Sequence, residues 1–270
     1  MIHDKSSVLD RAAVDATESK RKHEECVVFS QRIGHAEASM ADTRFVSVRS
    51  LIAVPALITL GVTILRLVGE LQHWPAPFFS TEGGGAAIIG IAWLPIIFGP
   101  YFGLKLARAG DGPSSTGKAI GFSFVGLAVY FIFLMWAEST FERPSILTLI
   151  LLLVTLAAGF IPRMAWRSLG NTLLAYAFAA RIPVLIVMFL ALRGNGGKGW
   201  GTHYDAVIPQ LAQASPAKKF LIEALPPQVT MWIGWTLAVG SVVGVIVAAV
   251  AYAVSMNVLG REKQATRAAA

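Results

Sequence analysis

The stretch Ser168–Leu192, SLGNTLLAYAFAARIPVLIVMFLAL, does most to limit what this chain can fold into: it is apolar almost throughout, with Arg181 near its middle. Its 25 residues, at ~1.5 Å each as a helix, are enough to cross the ~30 Å hydrocarbon core of a bilayer. Arg167 and Arg193 flank the stretch, which leaves Arg181 ~21 Å from one flank and ~18 Å from the other. That is too deep for easy snorkelling. A guanidinium at such depth costs ~2.5–3.5 kcal/mol on insertion scales, and such groups face a bundle interior or a wet cavity. Arg181 therefore requires other helices around it.

The rest of the chain supplies them. Apolar residues make up 55% and charged residues 14%, and runs of about 20 apolar residues recur, a pattern foreign to soluble domains. The sequence predicts an all-α, polytopic integral membrane protein: a six-transmembrane-helix bundle with an N-terminal soluble tail. The predicted spans cover 46–69, 86–106, 119–137, 146–161, 168–192 and 231–256, read as helices because an unpaired backbone cannot sit in lipid. Residues 44–260 form the membrane domain, 194–228 a long loop and 261–270 a short polar tail.

Residues 1–43 have a different composition, holding 8 acids and 6 Lys/Arg with Val27-Val28-Phe29 as the one apolar patch. They predict a disordered or loosely helical cytoplasmic tail, without the basic start and long apolar core of a signal peptide. Met40 is an alternative start, since MADTRFVSVRS leads straight into the first span. The net charge of +7 thus comes from the membrane part, where Lys and Arg act as topogenic loop charges and imply no nucleic acid partner. The single cysteine, Cys26, excludes an intramolecular disulfide and a thiolate metal cluster.

Lys and Arg also set the orientation. Ten of them (Arg44, Arg49, Lys105, Arg108, Lys118, Arg163, Arg167, Arg261, Lys263, Arg267) lie on one side of the predicted bundle, and five (Arg143, Arg193, Lys198, Lys218, Lys219) on the other. This predicts the cytoplasmic (inner) membrane, with both termini cytoplasmic and 194–228 outside. Trp74, Trp136, Trp232 and Trp235 fall at outer ends and Trp166 at an inner end, as an interfacial belt requires. Trp93, deeper in the second span, is expected to pack in the core.

Pro55, Pro95, Pro100 and Pro183 lie within spans, and each frees a carbonyl four residues earlier. Pro183 frees that of Ala179, beside Arg181; an ordinary kink is expected rather than a broken helix. Gly99 and Gly103, and Gly240, Gly244 and Ala248, recur at four-residue spacing. Such ladders allow close helix–helix association, more often inside a bundle than at a dimer face.

The remaining polar chemistry gathers at the outer ends. The candidates form a cluster of Arg66, Glu70, His73, Glu82, Glu138, His203 and Asp205. Arg66 and Glu70, one helical turn apart, are read as a surface pair worth a few tenths of a kcal/mol at most, and the loop residues as solvated. Within the loop, Ala217–Leu225 fits a short helix on the membrane surface. Gly83-Gly84-Gly85 has the look of an anion cradle, without a phosphate-loop pattern. Ala109–Lys118 reads as a flexible turn. His73, His203 and Asp205 have suitable metal-ligand chemistry but lack metal-site spacing, so no metal is expected.

All eight acids of 44–270 fall in loops or at span ends, which argues against a proton- or sodium-coupled carrier. No histidine lies within a span, against membrane haem ligation or a Ser–His dyad. The sequence names no catalytic residue and no cofactor. Three functions survive: a non-enzymatic structural, accessory or binding protein of the membrane, which leads; a channel or facilitator for a small anionic or neutral solute with Arg181 on the path; and an outer-face enzyme acting on a lipid or envelope precursor. Neutral partners are expected for Arg181: carbonyls freed by Pro55, Pro95 or Pro183, or hydroxyls of Thr59, Ser123, Tyr130, Thr155 or Tyr176.

Overall fold

The computed structural model describes residues 47–82, 87–140 and 145–268, with side chains to 255. The N-terminal tail with Cys26 and Met40, the Gly83–Gly85 cradle, Glu142 and Arg143 lie outside the described residues. Among the described residues all regular structure is helical. Five helices are long and apolar enough to cross a membrane: Val48–Leu71, Thr116–Glu138, Ile146–Met164, Arg167–Gly197 and Pro216–Ser255. The chain is a multi-pass helical membrane protein.

In chain order the helices are α1 (Val48–Leu71), α2 (Leu94–Arg108), α3 (Thr116–Glu138), α4 (Ile146–Gly159), α5 (Arg167–Gly197), α6 (Pro216–Lys219), α7 (Leu225–Val229) and α8 (Met231–Ala268). The window around α8 is 50% buried, against 22–39% for the other candidate spans, so α8 is the centre. Helices α2, α3, α4 and α5 pack around it, and α1 packs on α5.

The second predicted span differs from the structure. Helix α2 has 15 residues, about 22 Å at the usual rise, which is short of the hydrocarbon core. The expected first turns are instead bends, because Ile88 and Ile89 donate their backbone N–H to the carbonyls of Pro77 and Phe78. Trp93 also departs from expectation. As the residue before α2 it is 39% exposed, and its indole donates to the Ile88 carbonyl at 2.9 Å.

The small-residue ladders face one another within the chain. A Cβ on Gly99 would strike the Gly240 carbonyl, and one on Gly103 the Gly244 carbonyl. Backbones of α2 and α8 thus touch where a side chain would hold them apart, the close approach that small residues allow. Ala248 continues the same buried seam.

Local signals explain the helix ends. Ser145 and Thr148 form a reciprocal capping box at the start of α4, satisfying donors that a helix start leaves free. Gly194, Asn195 and Gly196 have non-helical backbone, with φ +49° at Asn195 and +70° at Gly196, so regular α5 geometry stops at Arg193. It runs through Pro183. The turn expected to be flexible after α2 is tethered: Asp111 accepts from the Trp166 indole through its carbonyl at 2.8 Å and from Ser168 through its carboxylate at 2.6 Å.

Candidate functional site

The polar ends of α1, α5 and α8 meet at one end of the bundle, where loops fold over them. Glu70, in the last turn of α1, is 1% exposed and Arg66, one turn earlier, 6%. This corrects the surface-pair expectation: Phe79, Ser80, Glu82 and Gly90, with the loop after α5, pack on this end of α1. Arg66 Nε donates to Glu70 Oε1 at 2.8 Å, and Nη2 reaches the carbonyls of Ser80 and Glu82 at 3.2 and 3.3 Å. Nη1 lies against Gly90, where a Cβ would stand 3.1 Å away.

The same carboxylate receives the loop from 133 residues further on. The His203 backbone N–H donates to Glu70 Oε2 at 2.9 Å, and Nδ1 sits 2.6 and 2.8 Å from the two oxygens. One buried acid therefore clasps a helix end to a distant loop. Asp205 shapes that loop by accepting from the backbone N–H of Gly201 and Thr202, both at 2.9 Å, and from the Thr202 hydroxyl. The Tyr204 ring packs against the imidazole, tilted by 44° with centroids 3.8 Å apart, and its hydroxyl donates to the Thr63 carbonyl at 3.3 Å.

Burial holds the His203 imidazole below its ordinary pKa, and Arg66 nearby pushes the same way against the pull of Glu70. Burial therefore favours the neutral ring. With Nδ1–H donating to the carboxylate, the lone pair is on Nε2. His203 lines a partly open cavity of about 510 Å³, and Nε2 is the one polar ring atom left to offer it.

Arg181 lines this cavity from α5 and is 5% exposed. Its Nη1 donates to Gln228 Oε1 at 3.3 Å, and the guanidinium lies 4.7 Å from the centre of the Trp232 ring. Nε is buried without a hydrogen-bond partner among the described residues. The partner is neutral, but it is Gln228 rather than a proline-freed carbonyl or one of the expected hydroxyls, because the loop returns over this end just before α8. Glu223 lines the cavity too; Oε1 accepts from the Ile208 N–H at 2.8 Å, and Oε2 is buried with no partner among the described residues.

The remaining candidates divide. Glu138 contributes to the cavity wall while staying exposed. Glu82 brings its backbone carbonyl, not its carboxylate, to Arg66. His73 is exposed in a left-handed turn with φ +53° after α1, outside the cavity lining. Gln228 and Glu223, absent from the candidate cluster, belong to the cavity; only the returning loop brings them there. Among the described residues no group of three or more His, Cys, Asp or Glu could hold a metal ion. Comparison with protein-family models, curated proteins and solved structures finds no match for this chain.

Proposed function

We propose that this is a non-enzymatic, ligand-binding protein of the cytoplasmic membrane, holding an amphipathic molecule in the cavity between α1, α5 and the end that precedes α8. The observation that carries this is Arg181. A cation so buried is costly to leave incompletely bonded, yet among the described residues its guanidinium makes one hydrogen bond, to Gln228 at 3.3 Å, and Arg181 lines a cavity within the usual 300–1,000 Å³ range of ligand sites. Packing alone would be served better by an apolar side chain. A ligand oxygen in the cavity would add an acceptor for the terminal N–H groups of the guanidinium, while Val184, Met188 and Ile222 provide apolar wall for its hydrophobic part.

The ten-to-five split of Lys and Arg supports six crossings, with both termini cytoplasmic and the cavity at the outer face. In this reading the short α2 and the bent segment before it serve together as the second crossing. The helical stretch Pro216–Val229 then lies near the outer interface, with Leu221 60% exposed toward lipid.

The test is purification in mild detergent, then mass spectrometry of organic extracts from wild type and Arg181→Met. An amphiphile enriched in wild type and lost from a normally folded variant is expected. Equal recovery from both, or no enrichment over a control membrane protein, would overturn the proposal.

A further inference from the structure

The proposed binding role leaves the ligand's chemistry open, and the cavity constrains it from three directions. On α5, Arg181 offers donors only, one of which reaches Gln228 at 3.3 Å. On the loop, His203 offers an acceptor, because Glu70 occupies Nδ1 and leaves the Nε2 lone pair. On the segment before α8, Glu223 lines the cavity with its Oε1 taken by the Ile208 N–H. The Trp232 ring lies against the guanidinium, and the other walls are mainly apolar.

Common amphiphiles fit this set poorly. A fatty acid carboxylate would satisfy Arg181 but offers His203 no proton. A phosphate headgroup would also set its negative charge into the cavity that Glu223 lines. The site instead suits an uncharged flat ring bearing oxygens at separated positions, able to accept from a guanidinium at one end and to donate to an imidazole at the other. An aromatic face for Trp232 and a hydrocarbon tail complete the description.

We propose, resting on the ligand-binding reading above, that the cavity framed by Arg181, Trp232, Gln228 and the Glu70–His203 pair binds the ring of a lipid-soluble quinone or its quinol. The carbonyl or hydroxyl oxygen at one end accepts from Arg181. The quinol hydroxyl at the other end donates to His203 Nε2, with Glu70 holding the imidazole in the accepting tautomer. The quinol makes both contacts and the quinone only the first, so the site prefers the reduced form. Binding alone is assigned, with no transfer of electrons.

The experiment is isothermal titration of the purified full-length protein in detergent with decylubiquinone, its quinol and dodecanoate. Saturable quinol binding is expected, weakened about tenfold by Arg181→Met and by His203→Phe, with a smaller loss for the quinone on His203→Phe. Gln228→Leu serves as a second variant if His203→Phe misfolds, and is expected to weaken both ring forms. Saturable dodecanoate binding without quinone or quinol binding would overturn the quinone assignment and leave the ligand-binding role standing. Failure of all three to bind, with no amphiphile co-purifying, would overturn both. Ring binding unchanged by Arg181→Met and Gln228→Leu would place any quinone elsewhere, in micelle or bundle surface, and overturn the assignment.

Discussion

Replacing Glu70 by leucine probes the clasp directly. In the folded protein this carboxylate accepts from Arg66 Nε at 2.8 Å and from the His203 backbone N–H at 2.9 Å, and holds His203 Nδ1 within 2.8 Å of both oxygens. Leucine fills similar space and accepts nothing. The largest loss comes from Arg66, 6% exposed, whose charge loses its counterion; removing one member of a buried pair costs ~3–5 kcal/mol. The two stranded His203 donors would each cost ~1–3 kcal/mol if wholly buried. The loop can swing out to give them water, so the total stays at ~3–5 kcal/mol. At ~2–4 °C per kcal/mol for a chain of this size, the melting point should fall by about 10 °C.

Thermal unfolding in detergent followed by intrinsic fluorescence measures the fall, and hydrogen exchange across Gly201–Asp205 reports the loop. Exchange there should quicken in Glu70→Leu. The pair Arg66→Met with Glu70→Leu should recover part of the lost stability, since replacing both members of a buried pair by apolar groups removes the stranded charge. A Glu70→Leu protein melting within ~2 °C of wild type, with loop exchange unchanged, would refute the clasp.

Three further outcomes follow from the same geometry. Gly99→Val should destabilise by ~1–3 kcal/mol or more through overpacking on the Gly240 backbone, whereas Gly61→Ala, with open space around it, should be neutral or stabilising; equal melting points for the two would refute the close α2–α8 approach. Because burial lowers the His203 pKa, the unfolded chain binds the extra proton first as pH falls. The stability due to neutral His203 is complete above its unfolded value of about 6.5 and declines from there toward the lower folded value. The melting point should drop across that window, and a His203→Gln protein showing an identical drop would show that another group is responsible. Finally, a cysteine at Ser215 should label from outside intact cells and one at Ser114 should not; the reverse pattern would invert the proposed orientation.

The helical membrane class was legible in the sequence because it depends on local properties. An apolar run such as Ile146–Gly159 has to hydrogen-bond its own backbone in lipid, and Ser145 with Thr148 marks where it begins. The small-residue spacing of Gly99, Gly103, Gly240 and Gly244 was likewise countable along the chain. What those features meet was not. Arg66 and Glu70 carry the same one-turn spacing whether they face water or lie under a loop, and their cover comes both from Ser80 and Glu82 nearby and from His203, 133 residues beyond Glu70. His203, in a glycine-rich loop without metal or catalytic spacing, has no local mark of its contact with Glu70. Gln228 reads as a loop end until the chain folds back over α5. The early turns expected of α2 gave way for a related reason: backbone donors of Ile88 and Ile89 found carbonyls at Pro77 and Phe78, a choice between partners that hydropathy does not register. Sequence determined that the chain is a helical membrane protein, because transfer into lipid depends on each segment's own composition. Tertiary structure decided which polar groups share the cavity, because that depends on which distant segments cover the helix ends.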